Sequence, residues 1–83
     1  MSPTIHLEDG YHFSFWPNEG TEPAHVHVTK GGAKAKWWLD PLSEDRSDGF
    51  NPSQRRRIRA ILRQHHESML ERWHETFKQE PGG

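Results

Sequence analysis

Thr4–Leu7, Tyr11–Trp16, Ala24–Thr29 and Lys34–Leu39 alternate apolar and polar side chains, and this constrains the fold more than any other feature of the chain. Successive side chains of a strand point to opposite faces of its sheet. Sorting by parity places Ile5, Leu7, Tyr11, Phe13, Phe15, Val26, Val28, Ala35, Trp37 and Leu39 on one face. His6, His12, Trp16, His25, His27, Lys34, Lys36 and Trp38 fall on the other. The first set requires a cover. The second is rich enough in imidazole, ammonium and indole to be the working surface.

The punctuation between these runs is that of a meander. Asp9-Gly10 marks a hairpin, Pro17 to Pro23 a longer connection, and Gly31-Gly32 a tight turn. Asp40-Pro41 is expected to close the fourth strand, because proline has no N–H to give a ladder. Residues 40–50 are polar and read as irregular. Asn51-Pro52-Ser53-Gln54 then carries three helix-start signals: a capping side chain, proline at the first helical position, and glutamine three residues after the cap. No proline or glycine follows until residue 81, so one helix of roughly 40 Å is expected over about 52–77. Ile58, Ile61, Leu62, His65, Met69 and Trp73 form its apolar stripe. The last residues, 78–83, read as a mobile tail.

The expected fold is therefore α+β: an antiparallel four-stranded meander covered on one face by one long C-terminal α-helix. With 83 residues and no internal repeat, the chain forms one domain near the lower size limit for a single core. Cysteine is absent, which excludes disulfides and thiolate metal sites and fits a reducing compartment. Neither a membrane-spanning run nor a signal-peptide pattern is present, so a cytoplasmic protein is expected, with no membrane partner.

His25-Val26-His27 puts two imidazoles on one strand face, ~7 Å apart. Three roles suit them. They can hydrogen-bond across strands. They can ligate a metal with Glu22, His12 or His6 as third ligand. Or they can divide acid and base work in RNA cleavage, with Lys34 and Lys36 stabilising phosphorane charge. Arg55, Arg56 and Arg57 lie in the first turns of the helix, where the macrodipole disfavours cations. Either Glu44, Asp45 and Asp48 neutralise them, or Arg55, Arg56, Arg59 and Arg63 form a flank for phosphate or an acidic partner. Trp16 and Trp38 on the outer face suit base stacking or a protein interface. His65 reads as a core histidine, and His66 and His74 as solvated.

Pro3-Thr4-Ile5, Gly10-Tyr11, Asn18-Glu19-Gly20, Glu22-Pro23, His25-Val26-His27-Val28, Lys36-Trp37-Trp38-Leu39 and Gly49-Phe50-Asn51-Pro52 together resemble a small prokaryotic family of unknown function, DUF4160. The resemblance runs from about Pro3 to Phe77. It implies a toxin-like component of a bacterial toxin–antitoxin gene pair and a small antitoxin-like partner encoded nearby. It supplies no catalytic residues.

The leading expectation is thus a toxin-like protein acting on RNA, a candidate ribonuclease with His25, His27 and Glu22 at its centre. Lys34, Lys36, Trp38, Trp16, Arg55, Arg56, Arg59 and Arg63 would bind nucleic acid or a partner. This reading needs no cofactor. The alternatives are a non-enzymatic module whose aromatic–basic face docks a protein, and a small metal-binding domain. An open sheet edge leaves a homodimer available as well.

Overall fold

The computed structural model of the protein describes residues 4–16 and 21–77. Residues 17–20 of the long connection, and the tail expected over 78–83, lie outside them. Five strands run in sequence order as one antiparallel sheet: β1 (Thr4–Glu8), β2 (Tyr11–Ser14), β3 (His25–Lys30), β4 (Ala33–Leu39) and β5 (Leu42–Asp48). Two helices follow, α1 (Pro52–Gln64) and α2 (His66–Thr76). The α+β class is as expected, but the sheet has a fifth strand and the helix is divided.

The turns form where glycine permits them. Asp9 and Gly10 both adopt positive φ, 54° and 81°, the pairing that a right-twisted two-residue hairpin requires. Asp40-Pro41 joins β4 to β5 through a cis peptide bond instead of ending the sheet. β5 escaped the parity reading because its pattern is broken. Trp37 pairs with Glu44 while Lys36 pairs with Arg46, so Asp45 is an extra residue and alternation is lost at that point.

A second bulge has larger consequences. Thr4 pairs with Ser14 but His6 pairs with Phe13, leaving Ile5 as the extra residue in β1. Beyond it the parity of β1 is inverted. His6 therefore faces the helices, with its ring 5.7 Å from that of Phe13, and Leu7 is turned out to 59% exposure. Strict alternation from Thr4 places each of them on the opposite face.

β2, β3 and β4 follow the expected alternation. Phe13, Val28 and Ala35 form one cross-strand row. Together with Tyr11, Phe15, Val26, Trp37 and Leu39, they are buried against Phe50, Ile58, Ile61, Leu62, Met69 and Trp73. α1 opens with the anticipated reciprocal cap: Asn51 Oδ1 accepts from the Gln54 N–H at 2.8 Å, and Gln54 Oε1 accepts from the Asn51 N–H at 2.9 Å. It is then fastened to both margins of the sheet. Arg55 holds Glu44 of β5 through Nε and Nη2, at 2.9 and 2.5 Å. Arg57 reaches Asp9, just past β1, and Glu8, its last residue, at 2.7 and 3.1 Å.

The helix breaks at His65, whose φ of −109° and ψ of 15° leave the helical region. Neither glycine nor proline causes the break. On its far side His66 Nε2 meets the Leu39 carbonyl at the end of β4, and Met69 and Trp73 pack on the far end of the core. A straight continuation would carry that stripe round the axis, since the apolar spacing drifts past Met69. His65 itself is not a core histidine, because its side chain retains 31% exposure. His66 is half-buried, not solvated.

Candidate functional site

The outer sheet face gathers most of the residues nominated from the sequence. His25 pairs with Trp38 and His27 with Lys36 across β3 and β4. The two imidazoles meet edge-on, with centroids 5.2 Å apart and planes at 83°. Trp16, just past the end of β2, lies flat on His27 at 3.7 Å and 12°. Lys36 Nζ stands 4.5 Å above the Trp38 ring and donates to Glu22 Oε1 at 2.8 Å. Glu22 thus reaches the site as a counter-ion for Lys36, which is only 9% exposed and would be costly to bury unpaired.

Beside this cluster runs a groove of about 390 Å³ lined by Trp16, His27, Thr29, Lys34, Lys36, Arg46 and Asp48. Arg46 is not among the residues the sequence nominates, because the polar segment 40–50 carries no strand alternation. Its only signal was an arginine alone among acids at 44–48. Lys34 faces Asp48 across the ladder and Lys36 faces Arg46, so the groove floor is mixed in charge with a basic excess.

Burial separates the two histidines from an ordinary catalytic dyad. His25 is wholly buried and His27 is 6% exposed. His25 Nδ1 bonds the Pro23 carbonyl at 2.9 Å, and its ring also packs 5.0 Å from Trp73 of α2. His25 lies under neighbouring rings while Trp16 is 41% exposed. The face presents indole and cations to solvent, with imidazole beneath.

The nominated arginines lie elsewhere. Arg55, Arg56 and Arg59 line a separate groove of about 370 Å³ between α1 and β5. Arg63 borders a third depression at the helix break. No residue is shared between these three recesses, so the nominated histidines and arginines do not form one site. Arg55 is neutralised by Glu44, as the salt-bridge reading expected, and its guanidinium is held above the usual arginine range by that hydrogen bond.

His6 cannot serve as third ligand to His25 and His27, because the β1 bulge has carried it to the opposite face. Among the described residues that pair belongs to no cluster of three metal-ligating groups.

Fold and surface together define a small α+β domain with one helical layer and an open aromatic–basic sheet face. The chain belongs to the family described as Domain of unknown function (DUF4160), whose sequence profile matches residues 10–74. No match was found among curated proteins or among solved structures. No helix of the described residues is long and apolar enough to cross a membrane.

Proposed function

We propose that this protein is a non-enzymatic binding module that docks a partner protein through the outer face of its sheet. The observation that carries this is Trp16, 41% exposed over a buried imidazole and bordering a groove with Lys34, Lys36 and Arg46. A rigid indole on a packed platform within a polar rim is how protein interfaces anchor. The family resemblance supplies the partner class, a small antitoxin-like protein from the neighbouring gene, and casts this chain as the toxin-like member of the pair. The basic excess of the groove favours an acidic segment of that partner.

An RNA-cleaving toxin would draw on the same face, yet two facts weigh against it. His25 is fully buried and so does not meet a substrate. The chain as a whole carries a formal charge of −1 with a pI near 6.6, which gives little long-range attraction for phosphates.

Co-expression with the neighbouring gene product followed by affinity capture tests the reading. A stable complex and no cleavage of single-stranded RNA are expected. RNA cleavage lost in His27→Ala, or growth arrest on induction relieved by that substitution, would overturn it in favour of the enzymatic toxin.

A further inference from the structure

We propose that His6, Glu8 and His65 form a site for one divalent transition-metal ion with an open coordination position. The cluster lies on the helix-facing side of the sheet and is independent of the docking face. The bulge at Ile5 turns His6 inward, and Glu8, two residues along the strand, shares its face. His65 arrives from the break between α1 and α2. Two features that depart from regular structure thus converge on one point.

The geometry suits an ion. The Nε2 atoms of His6 and His65 approach the same oxygen, Glu8 Oε1, at 2.9 and 3.4 Å. Their ring centroids are 4.2 Å apart, and all three ligand atoms lie within 4.8 Å of one another. Metal–ligand bonds of about 2.0–2.2 Å in a tetrahedral array separate ligand atoms by ~3.4 Å, so small side-chain adjustments admit one ion. To ligate, each ring carries its proton on Nδ1 and offers the Nε2 lone pair. The second carboxylate oxygen is already engaged: Arg57 Nη2 holds Glu8 Oε2 at 3.1 Å, which aims Oε1 into the cluster.

Ligand chemistry selects the ion. Two imidazoles and one carboxylate with no thiolate suit Zn²⁺, Co²⁺, Ni²⁺ or Fe²⁺ over soft Cu⁺. The three side chains are 27%, 28% and 31% exposed, so the cluster opens to solvent on one side. A recess of about 160 Å³, bordered by Ile5, Ser68, Met69, Glu71, Arg72 and Glu75, adjoins both imidazoles there. Three protein ligands with an unfilled fourth position characterise a site that binds water or a small anionic ligand, not a closed structural one. Glu71 and Glu75 outnumber Arg72 on the rim of the recess, which leaves a modest negative potential beside the cation.

The test uses the untagged full-length protein and Co²⁺ as probe. One equivalent should bind with visible absorption bands of tetrahedral intensity, and Zn²⁺ should displace it. His65→Ala and Glu8→Gln should each weaken binding by about tenfold or more, while His12→Ala on the outer face leaves it unchanged. Proton resonances of wild-type His6, Glu8 and His65 should be the most strongly shifted by Co²⁺, a readout that requires no variant to fold. Sub-stoichiometric binding to the wild type, affinity unchanged in both ligand variants, or shifts centred on His12, His27 or His74 would each overturn the proposal.

Discussion

The indole of Trp16 lies parallel to the imidazole of His27, with centroids 3.7 Å apart and planes 12° apart. Trp16 lies two residues past the end of β2, and His27 sits in the middle of β3 opposite Ser14. The stack therefore holds a residue beyond the end of one strand flat against the neighbouring strand. Such an indole loses little further freedom when a partner covers it, which is the condition under which an aromatic side chain contributes most to binding.

Trp16→Ala should weaken the complex with the neighbouring gene product by about 1 kcal/mol or more. Titration calorimetry on the purified pair measures this, with circular dichroism confirming that the fold persists. Unchanged affinity would remove Trp16 from the interface.

Phe15→Ala should be among the most damaging core substitutions. Its ring is 1% exposed and meets Trp73 edge-on at 5.2 Å and Phe77 at 6.1 Å, so it joins the sheet to α2. A loss of about 3–5 kcal/mol is expected, comparable with the whole stability of a domain this small. Urea unfolding should show a mostly unfolded variant, and a midpoint close to wild type would contradict the packing.

Removing the cap is a milder change. Asn51→Ala abolishes one half of the reciprocal pair with Gln54 and should cost about 1 kcal/mol. Asn51→Gly should cost a few tenths of a kcal/mol. Thermal melts of the two variants should fall in that order.

Arg57→Ala separates the turn at Asp9 from α1. Both partners are exposed, so the destabilisation should be greatest at low ionic strength and shrink as salt approaches roughly 1 M, where screening falls to ~3 Å. Equal losses at both salt concentrations would assign the effect to packing of the arginine stem.

Parity reading succeeded on β2, β3 and β4 because their helix-facing row, such as Phe13–Val28–Ala35, is uninterrupted. It failed on β1 for a physical reason. Ile5 is apolar, so an extra residue at that position leaves the pattern looking regular while every later side chain changes face. β5 offers only Leu42 as an aliphatic contact, and its bulge at Asp45 removes the remaining periodicity. The drift of the apolar stripe at Leu70 and Phe77 is legible in the sequence, but the break at His65 is not, because its causes are tertiary: His66 on Leu39, and Met69 and Trp73 turning onto a distant part of the core. The site was legible as a list of residue types on one face. What sequence could not show is depth, and depth assigns His25 to the interior and Trp16 to the surface.

β1 and β5 are the outermost strands, and each carries an unpaired extra residue. Another chain attempting to zip along either rim would lose register within a few residues, and on the β5 side it would also meet Glu44, Asp45 and Asp48. Lateral growth into ribbons or fibrils is thereby obstructed at both borders. The docking proposed above therefore falls to the broad surface, where side chains and not backbone would choose the companion.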